Sequence, residues 1–250
     1  MKHFRSLLIT AVSSQLLSTA CAAAGVHSGG IHAVESPALN SSSFDIVHAK
    51  VTTSNRIATF HMGVSGRAGA NKPAASGQLA GSQVFSYVWP TNINSAVVGF
   101  ESKAGILALA VTSHADFDDT PLYDENADNN PANDGDIWHS HWVVLESNER
   151  CGPGALGVVD IPEGTQPRLP RTWPGLPILL DSPGWDPVFN EDTVEVKVAF
   201  DDIDQTKDMR FDGVTAGLRV NNSVHAPLLW VVDVMDVASG DLSLPGKANR

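Results

Sequence analysis

The chain has 250 residues, with 16 Lys and Arg against 28 Asp and Glu and a formal net charge of −12. That negative excess repels nucleic acid and anionic membrane surfaces, so neither is an expected partner. Its 2 cysteines, one of them in the first 24 residues, exclude a disulfide framework.

Residues 1–24 read as an export signal. Lys2 and Arg5 give a positive start, 7–17 is an apolar stretch too short and too interrupted to span a bilayer, and small residues surround Cys21. Cleavage after Ala22 or Ala24 frees a soluble protein. Ser18-Thr19-Ala20-Cys21 offers the alternative, a lipoprotein-like box at which Cys21 carries the only membrane tether. Both exits lead to a periplasmic or extracellular location. Without Lys2 and Arg5, 14 basic residues face 28 acidic ones, a net charge of −14. Residues 25–42 read as a flexible leader, 43–240 as a single β-sandwich domain and 241–250 as a C-terminal tail.

Within that domain, short β-runs alternate with Gly, Pro, Asn, Asp and Ser turns. The runs are 44–51, 56–64, 83–89, 96–100, 106–112, 137–145, 157–161, 193–200, 214–220 and 228–235. In the clearest, Val194, Val196, Val198 and Phe200 share one face and Glu195 and Lys197 the other, a period of two. In the last, Asp233 falls with Leu229, Val231 and Met235 and reads as a buried carboxylate needing a partner. With almost no apolar 3.6 periodicity, the fold class is all-β: an antiparallel β-sandwich, or alternatively a β-barrel, with long acidic and Pro-rich loops. The Pro-rich loop, 162–190, reads as an extended strap held by Trp173 and Trp185. Gly152-Pro-Gly154-Ala-Leu-Gly157 has dinucleotide-type spacing, but a strand follows it where a helix is needed.

The chemistry concentrates between Lys103 and Arg150, an interval without Lys or Arg that holds 10 of the 28 acidic residues and three histidines. Like charges so crowded repel unless a cation neutralises them, and a metal ion is the simplest candidate. His139-Ser-His141 sits in an apolar run. On a strand, residues two apart face the same side, about 6.5–7 Å apart along the chain, so both imidazoles can converge on one ion. His114, Asp116, Asp118 and Asp119 follow the run 106–112 and could supply further ligands, if that strand neighbours 137–145. Asp124, Asn126 and Asp128 carry oxygens at alternate positions, as a calcium loop begins, with Asp134 or Asp136 to close it. Turn chemistry and solvation explain the same acidic residues without any metal.

Three functions remain open. One is an exported protein binding divalent metal, a transition metal such as zinc or copper at the histidine pair and calcium at the acidic loop. Another is a metal-dependent hydrolase, hydratase or oxidase of a small molecule, with an open metal position and Asp118, Asp119 or Glu146 as general base. The third is a metal-free structural or adhesive domain. The metal ion is the one partner this reading names; no catalytic residue or protein partner is identified.

Overall fold

Strict alternation in β10 (Thr193–Ala199) sends Val194, Val196 and Val198 inward, each at most 1% exposed, while Lys197 stands in solvent. The same period of two builds the rest of this computed structural model, which describes residues 29–34, 41–151, 155–225 and 228–250. The export signal 1–24 with Cys21, and His27, lie outside the described residues.

The strands in chain order begin with β1 (Ile31–His32), β2 (Ile46–Ser54), β3 (Ile57–Val64), β4 (Gln83–Pro90), β5 (Ile106–Ser113), β6 (His139–Ser147) and β7 (Leu156–Val158). They continue with β8 (Leu180–Asp181), β9 (Val188–Asn190), β10, β11 (Arg210–Phe211), β12 (Val214–Val220), β13 (Leu229–Val237) and β14 (Gly246–Lys247). One antiparallel sheet runs β1-β2-β3-β10-β9. The second runs β5-β4-β12-β13-β7-β6 and closes on itself through β5–β6, a six-stranded barrel with β8 attached to β6. Both expected architectures are therefore present, with the open sheet packed on the barrel's outer wall.

That arrangement buries β5 and β6 on both faces. Leu107, Leu109, Val111, Trp142 and Val144 pack against the open sheet, where Phe60 meets Trp89 and Trp142 edge-on at 6.0 and 5.9 Å. The alternate residues Ala108, Ala110, Val143 and Leu145 join a second core inside the barrel. The large aromatic residues lie between the layers; the barrel interior holds mostly Val, Ala and Leu.

Four expectations need correction. Residues 96–100 are not a strand: Ser95–Val98 is a 3-10 turn, with Asn94 Oδ1 accepting from Ala96 N at 3.0 Å and Gly99 reversing the chain at φ +108. The leader is partly structured, since Ile31 and His32 pair with Ala49 and His48, and Gly30 N donates to Arg250 O. The tail is docked as well, through β14 on β11 and Asn249 on Thr53. Asp233 is exposed rather than buried, because register shifts between Thr215/Ala216 and Gly217/Leu218 break the alternation of the β12–β13 ladder.

The Pro-rich strap forms no helix and contributes only β8 and β9. The carbonyl of Trp185 accepts from Ser140 Oγ, its ring lies edge-on to Trp142 at 6.4 Å, and Trp173 Nε1 donates to Leu176 O at 2.8 Å. Trp185 thus holds the strap to β6, whereas Trp173 bonds within the strap itself, to Leu176 O and Ile178 O.

Phe60, fully buried between two indoles, gives a direct test of the inter-layer core. Phe60→Ala is expected to cost about 3–5 kcal/mol of unfolding free energy by denaturant titration, the cavity term included.

Candidate metal centre

β5 and β6 pair in register, with Thr112 opposite His139 and Ala110 opposite His141. This places the exit of β5, where His114 stands, beside the entry of β6. The imidazoles of His139 and His141 share the inner face, their ring centroids 4.8 Å apart. His114 meets His139 from the neighbouring chain at the same 4.8 Å. Asp119 folds back from the loop to complete a group of four, all buried, whose donor atoms lie within 4.8 Å of one another.

Asp119 Oδ1 lies 3.1 Å from His114 Nε2, 3.2 Å from His139 Nε2 and 3.3 Å from His141 Nε2, and His114 Nε2 lies 3.1 Å from His139 Nε2. A tetrahedral ion with bonds of about 2.0–2.1 Å has ligand–ligand edges of about 3.3–3.4 Å. Four of the six donor separations therefore lie close to such an edge, within a group whose ligand atoms all stand within 4.8 Å of one another.

The backs of the rings decide which protons are present. His114 Nδ1 donates to Phe117 O at 2.9 Å and His139 Nδ1 to Ile137 O at 2.7 Å. Ser182 Oγ gives its one proton to Asp119 O at 2.6 Å, so it accepts from His141 Nδ1 at 3.1 Å. Each neutral ring is thereby held in the Nδ1–H tautomer, with the Nε2 lone pair aimed inward. His141 Nε2 is buried with no hydrogen-bond partner, although Asp119 Oδ1 is close by. The Thr112 hydroxyl stands 3.2 Å from His139 Nε2, but His141 Nε2 has no donor, and a cation would satisfy the convergent lone pairs together.

The electrostatics of the bare site agree. Burial acts to raise the Asp119 carboxyl, but the surrounding imidazoles outweigh it and hold Asp119 well below the usual carboxylate range. Burial lowers His141. For His139 burial also acts downward, but Asp119 prevails and the pKa is raised.

Local packing sets the loop. Phe117 stacks on His114 with centroids 3.9 Å apart and planes 3° from parallel. Gly135 O accepts from His114 N at 2.8 Å, and a Cβ on Gly135 would stand 1.9 Å from Phe117 O. Only glycine lets the returning chain pass this close.

The other expected ligands lie outside the group of four. Asp116 accepts from the backbone of Ser76 and Gly77, both at 2.7 Å. Asp124 accepts from Asp128 N and Asn129 N, and Asn126 Oδ1 from Asp128 N. Asp128 takes Asn130 N and Asn133 Nδ2. Asp134 Oδ2 holds Glu125 N and Asn126 N, and Asp118 Oδ1 holds Thr120 N. The bonds of Asp118, Asn126 and Asp128 to amides two residues on are Asx-type, whereas Asp134 and Asp116 tie together more distant parts of the chain. Asp136 pairs at 3.3 Å with Lys72, a counter-charge from the β3–β4 loop that the interval's own composition hides. Asp118 Oδ2, Glu125 Oε2 and Asp134 Oδ1 remain buried without hydrogen-bond partners. Burial pushes Asp118 and Glu125 above their ordinary values, and Asp134 adds to both shifts.

Sequence reading missed Ser182, Gly135, Phe117 and Glu125. Ser182 belongs to the strap and reaches the site only through the fold. Gly135 alone carried a local hint, as a glycine in a loop that must turn back.

Two measurements test this description. Gly135→Ala is expected to weaken metal binding about 10–100-fold, the usual effect of displacing the groups that orient ligands. Asp181, on β8 beside Ser182, is pushed up to about 6 by burial against hydrogen bonds from Thr172 and Ser182. As pH rises from about 4 to about 6, the unfolded chain loses this proton first, so folding stability falls across that window and levels above it. Asp181→Asn is expected to flatten the decline in metal-free protein and to raise stability near neutrality by at most about 3 kcal/mol, read from melting curves against pH.

No protein-family model, curated protein or solved structure matches this chain, so its functional reading rests on this geometry.

Proposed function

We propose that the chain is an exported protein that binds a divalent transition metal through His114, Asp119, His139 and His141. The carrying observation is the set of three imidazoles, each held by a bond at Nδ1, whose Nε2 atoms meet Asp119 Oδ1 at 3.1–3.3 Å. Three imidazole nitrogens and one carboxylate oxygen are a donor set that zinc takes in tetrahedral sites, whereas copper(II) prefers tetragonal geometry. Export rests on the sequence of residues 1–24, and Cys21 remains the candidate for a lipid tether. Four protein donors complete a tetrahedron, which favours a binding role over the reading of a metal-activated water in an empty fourth position.

Calcium at the acidic loop is a separate part of the proposal. Asp118 and Asp134, whose carboxyls interact with each other, and Glu125 would offer it buried oxygens.

Metal analysis of the purified protein is expected to find one equivalent of zinc, lost from the His139→Ala/His141→Ala variant. Zinc at about 1,000 times its Kd should stabilise the chelated wild type by about 4 kcal/mol, read as a rise in Tm. Affinity should fall as pH drops below neutrality, because protons compete for the imidazoles. Equal binding by wild type and double variant would overturn the assignment. A calcium-dependent rise in Tm should persist in the double variant and disappear in Asp134→Asn; no rise in either removes the calcium part.

A further inference from the structure

The barrel is not filled. A cavity of about 340 Å³ runs through it, within the about 300–1,000 Å³ usual for small-molecule sites. Six strands make a narrow barrel, so the space must come from residue size. Inward positions that could carry Leu or Phe instead carry Val84, Ser86, Val88, Ala110, Val214 and Ala216.

The chemistry along this cavity is sharply uneven. Its walls are almost entirely aliphatic, and Ser86 Oγ is already bonded to Ala216 O at 2.9 Å. At one end the lining includes His114, Asp119 and His141, but not His139. Thr112 lines the same end, its hydroxyl 3.2 Å from His139 Nε2. The lining reaches solvent at Val232, Val234 and Leu242, which are 48%, 49% and 38% exposed. An apolar rim thus leads through an apolar channel to three of the four donors.

We propose that this cavity binds a medium-chain aliphatic monocarboxylate, tail along the barrel and head against the metal. The head-group half of this inference rests on the metal assignment above. A divalent ion held by three neutral imidazoles and one carboxylate would keep a charge of +1 within that set; Glu125 interacts with His139, but neither residue lines the cavity. On the cavity side, among the described lining residues, the remaining carboxylate is Asp233, which is exposed. A buried charge facing hydrocarbon is unfavourable until a counter-ion meets it, and a carboxylate head supplies one negative charge and a donor oxygen. A zinc ion held by these residues would supply the positive charge for the head group, on the side where His114, Asp119 and His141 line the cavity. The aliphatic tail replaces water along walls that give water few partners.

The test uses the zinc-loaded protein and titration calorimetry with octanoate, hexanoate, acetate and 1-octanol. Octanoate is expected to bind at one equivalent, each methylene removed weakening it about fourfold. It should bind at least tenfold more tightly than 1-octanol, an advantage that chelation of the zinc removes. Ala216→Phe and, on another strand, Val88→Phe should each weaken octanoate at least tenfold while zinc stoichiometry stays at one, which certifies the fold. Full zinc loading without octanoate binding overturns the inference, as does octanoate binding that both filling variants leave unchanged. Acetate matching octanoate overturns the tail's role, and an octanoate advantage that survives chelation overturns the head group's. If zinc does not bind but 1-octanol binds and the filling variants weaken it, the metal assignment fails while the apolar site stands.

Discussion

Three imidazole Nε2 atoms converge on one carboxylate oxygen; the Thr112 hydroxyl reaches that of His139 at 3.2 Å, while that of His141 is buried with no hydrogen-bond partner. Each ring donates from Nδ1 to a backbone carbonyl or to Ser182, which leaves Nε2 without a proton to share. The orientation of the β5–β6 ladder, the return of the acidic loop under His114 and the seating of the strap all converge on keeping those atoms 3.1–3.3 Å from Asp119. A cation among these donors would turn the repulsion of their lone pairs into attraction. The bare protein must instead place a proton there, which the raised His139 and lowered Asp119 reflect.

The part of this legible in sequence is the part that depends on neighbours along the chain. His139-Ser-His141 on a strand fixes a shared face by the period of two, and His114 at a strand's exit is presented by the same logic. Asp119 was one of several carboxylates with equal claims. What singles it out is not local: Ser182, 63 residues away, binds its carbonyl, and Phe117 beside it stacks on His114. Asp124 and Asp128 took bonds from nearby backbone amides instead, and Asp116 from those of Ser76 and Gly77 in another loop. Spacing cannot separate a ligand from a turn-former when both need an acceptor oxygen.

The fold divides in the same way. Runs such as 193–200 were clear because one face is apolar and the other charged. Residues 96–100 misled because Ala, Val and Phe suit a strand, while Asn94 and Gly99 favour a capped turn. Barrel and sandwich could not be told apart, since each needs the same alternation; the answer is both. Strands β5 and β6 serve as the common wall, with aromatics toward the open sheet and small aliphatics toward the interior. Side-chain volume, rather than pattern, decides that one side is dense and the other hollow.

The barrel's circle is unequally fastened. β5 and β6 share seven residue pairs, from Ile106–Leu145 to Thr112–His139, whereas β13 meets β7 at the single pair Trp230–Gly157. Thermal opening should therefore begin at that seam, far along the hydrogen-bond ladder from the histidines.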